Sequence, residues 1–334
     1  MPETSQPVSG EEIVARVKDA RQRLFEELNR TVIGQEDAIE QIVISLLSAG
    51  HVLLTGVPGL GKTLLVRSIA ETFSLSFKRI QFTPDLMPAD IFGTEVVEED
   101  PATGKRNFRF VPGPVFANIL LADEINRTPP KTQAALLEAM EERQVTAAGQ
   151  THKLQPPFFV LATQNPIELE GTYPLPEAQL DRFLLNIRID YLPLEKEVAM
   201  VAATTAPRGK GPAAVFTAEE ILELQKLVRS VPVAEEVVRY AVRVTAATRP
   251  SHPDCLPIAR EKIKWGAGSR ASQALVLAGK ARALLDGRYA VSIDDIRALA
   301  SPVLRHRLIP NFHAEAEGVT SDRLIEDILA TLKS

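Results

Sequence analysis

Gly56-Val57-Pro58-Gly59-Leu60-Gly61-Lys62-Thr63 follows an apolar run from His51 to Thr55 and opens a helix-like run from Lys62 to Phe73. Strand, glycine-rich turn and helix in that order are the context a phosphate-binding loop requires, and they separate it from an ordinary glycine turn. The glycines let backbone N–H groups point inward around phosphates, Lys62 has the reach for β- and γ-phosphates, and Thr63 offers a hydroxyl to Mg²⁺. The helix that follows adds its positive end. The nucleotide-binding set read here is Gly56, Pro58, Gly59, Leu60, Gly61, Lys62, Thr63 and Leu64.

Downstream, Asn118 to Ala122 is apolar enough for a buried strand, yet it runs into Asp123-Glu124. Two carboxylates at such a place are costly unless a metal or a water employs them. Asp123 is expected to orient Mg²⁺ through its water shell, together with Thr63, and Glu124 to polarise an attacking water. The two motifs together point to ATP hydrolysis.

A chain of 334 residues with 45% hydrophobic and 24% charged residues has the profile of a soluble globular protein of one large or two moderate domains. The formal net charge of −5 provides no global positive field for nucleic acid or an anionic membrane surface. A single cysteine, Cys255, excludes an internal disulfide and a multi-thiolate metal site, which fits a reducing cytoplasm. Met1 to Gly10 lacks the segments of a signal peptide and is read as disordered, and no apolar run approaches a membrane span.

Apolar residues at helical spacing (Ile13, Val14, Val17, Leu24, Phe25, Leu28) predict an N-terminal amphipathic helix over Glu11–Leu28. A turn at Ile33-Gly34-Gln35 precedes a helix over Glu36–Leu47, and further strands are expected at Phe77–Phe82, Asn118–Ala122, Phe158–Thr163 and Leu184–Ile189. Strands alternating with helices argue for a parallel five-stranded sheet sandwiched by helices, with ligands at the carboxyl ends of its strands. Gly93–Phe110 and Glu142–Leu154 read as inserted hairpins around Pro101-Ala102-Thr103-Gly104 and Ala148-Gly149-Gln150; they carry Lys105, Arg106, Arg109, Arg143 and Lys153, which a partner contact and a solvated surface explain equally well, the solvated surface being preferred for each single residue. After Pro193 the pattern is helical only, broken at Ala206-Pro207-Arg208-Gly209-Lys210-Gly211-Pro212; Thr217 with Glu220 signals a helix start, followed by runs over Ala234–Thr248, Ser269–Leu285 and Ser292–Ala300. The expected division is a tail and helix over 1–30, an α/β nucleotide-binding core over 31–193 and an all-α lid over 194–334.

These motifs, joined to Leu161-Ala162-Thr163-Gln164-Asn165-Pro166, to Ala122-Asp123-Glu124-Ile125-Asn126-Arg127, to Ala135-Leu136-Leu137-Glu138-Ala139-Met140-Glu141-Glu142 and to the stretch from Glu170 to Phe183, closely resemble the MoxR family of AAA+ ATPases. The resemblance implies a ring, usually a hexamer, with ATP between neighbouring subunits. It places Asn165 at the first sensor position, holding the attacking water. It makes Arg182, in Leu180-Asp181-Arg182-Phe183, an arginine finger for the next subunit's site, a role worth about 10³–10⁵ in rate. Arg270, in Gly266-Ala267-Gly268-Ser269-Arg270-Ala271, matches the second sensor, with Ser269 as a helix cap. Gly268 and Ser269 depart from the family's commoner Gly-Ala-Ser-Pro-Arg-Ala. Gly34-Gln35 resembles the segment near adenine, although a simple turn explains it nearly as well, and Gln81 is a candidate restraint on Glu124.

The resemblance further implies a chaperone-like ATPase that remodels or activates protein clients, or assists metal-cofactor insertion and complex assembly. Its usual partner is a von Willebrand factor A domain protein, and since this chain holds no Asp-x-Ser-x-Ser motif the adaptor is expected as a separate polypeptide. The alternative is a nucleic-acid motor of a related clade, which the acidic balance argues against.

Overall fold

The computed structural model describes residues 10–99, 106–165, 171–207 and 211–332. The expectations for residues 1–9, the turn Pro101-Ala102-Thr103-Gly104, Lys105, Pro166, Glu170 and Arg208-Gly209-Lys210 lie outside them. Gly10, assigned by sequence to the tail, already opens the first helix, Gly10–Thr31. The chain divides into two compact units, one from Thr31 to Leu222 and one joining the chain up to Arg30 with the chain from Glu223 onward.

The first unit is built on five parallel strands: β1 His51–Thr55, β2 Phe77–Gln81, β3 Ile119–Asp123, β4 Phe159–Gln164 and β5 Phe183–Arg188, in the order β2-β3-β4-β1-β5. A parallel sheet covered on both faces requires strands apolar on both faces, and Val52, Leu53 and Leu54 of β1 are all buried. One face contributes Leu53, Ile80, Leu120, Ala122, Val160 and Ala162 to a core with Leu136 and Met140 of the helix Pro130–Glu142. The alternate residues Val52, Leu54, Leu121 and Leu161 face the helices Glu36–Leu47 and Lys62–Thr72, which bury Ile39, Ile42, Val43, Leu65, Val66 and Ile69. Each such side chain contributes about 1.5–3 kcal/mol by leaving water.

His51 is one of several polar residues buried in this unit. Its Nε2 lies 3.2 Å from the Met140 carbonyl and its Nδ1 accepts from the Val160 amide at 3.0 Å, which selects the neutral Nε2–H tautomer. Burial, with Arg143 assisting, pushes its pKa down to about 4 against the Met140 hydrogen bond.

The register of the sheet positions the site. Thr55 pairs with Gln164 and Gln81 with Asp123, so β1 to β4 end on one edge. The expected strand ends were one residue short at Asp123, which is inside the ladder rather than just beyond it.

Both insertions form antiparallel hairpins, Gly93–Glu99 with Arg106–Pro112 and Gln144–Ala147 with Gln150–Lys153. Phe110 of the first stacks on His152 of the second, ring centroids 4.3 Å apart. Arg109 pairs with Glu98 at 2.8 Å and Arg106 with Glu99 at 3.5 Å, as expected of solvated hairpin charge. The compact unit runs on past Pro193, because the Val215 amide donates to the Thr72 carbonyl at 2.8 Å and Phe216 stacks on Phe73.

The second unit is helical: Glu235–Ala247, Ser269–Leu285, Ile293–Leu304 and Ser321–Thr331 bury Val244, Leu275, Ile296, Val303, Leu324 and Ile328. The N-terminal helix joins it through Arg21, 3.5 Å from Asp286, and Lys18, packed at Gly287. One short antiparallel pairing, Ile263–Trp265 with Ile309–Pro310, interrupts the expected all-helical region. The expected cap at Ser269 is corrected: Gly268 is the N-cap and Ser269 the first helical residue, with no side-chain cap.

Candidate functional site

The glycine-rich turn connects β1 to the helix Lys62–Thr72. A Cβ on Gly56 would meet the Ile189 carbonyl oxygen at 2.4 Å, so only glycine fits against the strand beside it. Gly61 takes φ 73° as the helix N-cap and leaves the first N–H groups without a side-chain cap, the arrangement that receives an anion. Lys62 folds back so that Nζ donates to the Gly56 carbonyl. Burial lowers its pKa, against the pull of Asp123 and Glu124. Gln35 steadies the loop from behind, its Nε2 donating to the Leu60 carbonyl at 2.8 Å.

Across from the loop, the carboxylates are held by neighbouring strands. Asp123 Oδ1 accepts from Thr163 Oγ1 at 2.6 Å, and Oδ2 accepts from Arg79 Nε and Nη2 at 3.0 and 2.7 Å. Glu124 sits at φ 58°, ψ 49°, a left-handed turn uncommon for a residue with a Cβ, and its amide donates to Thr163 Oγ1 at 2.8 Å. Its Oε2 accepts from Gln81 Nε2 at 2.7 Å and lies 3.2 Å from Arg127 Nε. Gln81 Oε1 in turn accepts from Arg79 Nη2 at 2.6 Å, which fixes the amide so that its NH₂ faces Glu124.

Pro58, Gly59, Leu60, Gly61, Lys62, Thr63, Asp123, Glu124 and Asn165 line one cavity of about 430 Å³, with Arg79, Gln81 and Thr163. Gly56 and Gln35 act one step behind it. Gly34 lies in the turn before the helix Glu36–Leu47, and Leu64 is 43% exposed; neither lines the cavity. Arg182, also outside, donates Nη1 to the Leu137 carbonyl at 2.9 Å and meets Glu141 at 3.0 Å, both on the helix Pro130–Glu142. Arg270 lies in the other unit, exposed on the first turn of its helix.

Arg79, Thr163 and Arg127 had no assigned role in the sequence. Arg79 had a signal, the two-residue spacing to Gln81 that puts both on one face of a strand; Thr163 lies inside the quoted first-sensor stretch; Arg127 lies three residues after Glu124.

The donor set fits a hard divalent cation. Thr63 and Asp123 line the cavity and are the residues that would offer oxygens to such an ion, and no group of three or more His, Cys, Asp or Glu that could hold a metal occurs among the described residues. Mg²⁺ suits that arrangement, since it keeps waters and substrate phosphates rather than an all-protein cage.

The model of the ATPase family associated with various cellular activities (AAA) matches residues 51–185, and an AAA lid domain model matches 256–328. Chaperone MoxR1 of Mycobacterium tuberculosis is 41% identical over 328 residues, covering 98% of this chain and 85% of that protein. The chain belongs to the MoxR family of AAA+ ATPases. The uncharacterized protein YeaC of Bacillus subtilis is 42% identical over 93% of both chains. The crystal structure of a putative ATPase from Cytophaga hutchinsonii superposes with a TM-score of 0.88 at 40% identity, covering 97% of each chain. No helix among the described residues is long and apolar enough to cross a membrane.

Proposed function

We propose that this MoxR-family protein binds ATP with Mg²⁺ in the cavity between the glycine-rich turn and the Asp123–Glu124 pair, hydrolyses it, and uses the cycle to remodel or activate a protein client as part of a ring. The observation that carries the reading is Glu124: a carboxylate aimed into the cavity from a left-handed turn at the end of β3, opposite Lys62. Lys62 and the uncapped helix N-terminus bind the phosphates. Thr63 and Asp123 would hold Mg²⁺, which when bound would supply positive charge that offsets the charge of the phosphates. Glu124, released from Gln81, takes the proton of the attacking water that Asn165 helps to hold.

Arg182 we assign to the neighbouring subunit's site, which requires it to leave Glu141 and Leu137 on assembly. Arg270 we assign to the phosphates as second sensor. A hexamer, a separate von Willebrand factor A domain adaptor and a cytoplasmic setting complete the reading. Lys62→Ala should abolish nucleotide binding, whereas Glu124→Gln should bind ATP like the parent chain and turn over about 10²–10⁴-fold more slowly. Equal loss of ATP binding in both, measured by calorimetry, would contradict the roles given. Arg182→Ala mixed with Glu124→Gln should regain hydrolysis that neither has alone; no regain counts against a shared site.

A further inference from the structure

Arg79 occupies the carboxylate on which the divalent cation depends. It stands on β2, the edge strand of the sheet, opposite Leu121, and extends along the strand to the carboxyl-end edge, where Nε and Nη2 both reach Asp123 Oδ2. Asp123 Oδ1 is taken by Thr163, so both oxygens are engaged. An edge strand needs exposed charge, but Lys78, also exposed, already supplies it, and nothing about an edge requires a guanidinium on Asp123. The same Nη2 orients Gln81 and through it Glu124. Arg79 cannot give up its proton in a protein, so only displacement removes this charge.

We propose, resting on the nucleotide reading above, that Arg79 is a built-in competitor for the divalent cation at Asp123: the carboxylate becomes available to Mg²⁺ only when Arg79 swings away, and the same movement takes from Gln81 the donor that orients it toward Glu124. Arg79 is thus a positioning residue that makes release of the base depend on the metal. A guanidinium and a divalent cation compete directly for one acceptor, and a charge-assisted hydrogen bond is strong enough to show in the metal's affinity.

The test is Mn²⁺ binding to the full chain in the presence of ADP, followed by the loss of the free-ion electron paramagnetic resonance signal. Arg79→Gln and Arg79→Met, two neutral variants at a half-exposed position, should each lower the half-saturating Mn²⁺ concentration about tenfold or more. Arg79→Lys, which keeps the charge, should stay within about threefold of the parent chain. Unchanged or weaker Mn²⁺ binding in both neutral variants overturns the proposal. So does a loss of ADP affinity in EDTA larger than about tenfold, which would make Arg79 a phosphate ligand. Failure of the nucleotide reading has a separate signature, Lys62→Ala binding ADP as tightly as the parent chain.

Discussion

Asp295 and Asp123 both face arginines, and they are built for opposite ends. Asp295, at the start of the helix Ile293–Leu304, has a fully buried side chain and five donors: Arg282 at 2.6 Å, Arg288 at 2.5 and 2.8 Å, and the Ser292 amide and hydroxyl at 2.8 and 2.9 Å. Burial works to raise its pKa, yet Arg288, Ser292 and Arg282 outweigh it and hold it down at about 2. Asp123 has three donor contacts, opens on a cavity, and is paired with an arginine that is itself 46% exposed. A closed ion cluster fixes a helix start; an open one can exchange its partner. Strong charge pairing therefore does not by itself mark a functional site, and accessibility separates the two cases.

The comparison predicts unequal costs. Asp295→Ala leaves Arg282 and Arg288 without their shared buried partner and should lower stability by about 3 kcal/mol in urea unfolding. Acid should produce the next largest effect. A carboxylate whose folded pKa lies near 2, below its ordinary 3.8, contributes stability that is present above about pH 4 and lost as the pH falls toward 2. The contribution is about 2 kcal/mol, read as a drop in the urea midpoint of the helical unit between pH 6 and pH 2.5 that Asp295→Ala no longer shows. Ser292→Ala removes the cap hydroxyl and should cost about 1 kcal/mol by the same measurement. Asp123→Ala should cost less than about 1 kcal/mol, since its arginine partner is half-exposed and solvent screens the pair. An Asp123→Ala protein as destabilised as Asp295→Ala would erase the distinction.

Much of this architecture was readable along the chain because it is local. The strand, glycine turn and helix around Lys62, the apolar run ending in Asp123-Glu124, and the two hairpins each declare themselves within about fifteen residues through periodicity and turn chemistry. Arg79 was harder to read for the opposite reason: its spacing to Gln81 shows a shared strand face, but its partner Asp123 comes from a parallel register that sets Gln81 beside Asp123, forty-odd positions away. The cap at Gly268 was missed because Ser269 is the better capping residue by propensity, while the backbone places the helix start one residue earlier. Nor does sequence show that Arg182 has partners on its own chain, the Leu137 carbonyl and Glu141, since helix and arginine meet only in three dimensions.

The backbone at Glu124 has a consequence for anyone redesigning this protein. Glycine adopts φ 58° without the steric penalty of about 1–2 kcal/mol that a Cβ incurs there, so Glu124→Gly is a substitution that a purely thermostability-driven redesign would favour. Such a redesign would yield a sturdier scaffold and discard the one side chain that the turn exists to aim.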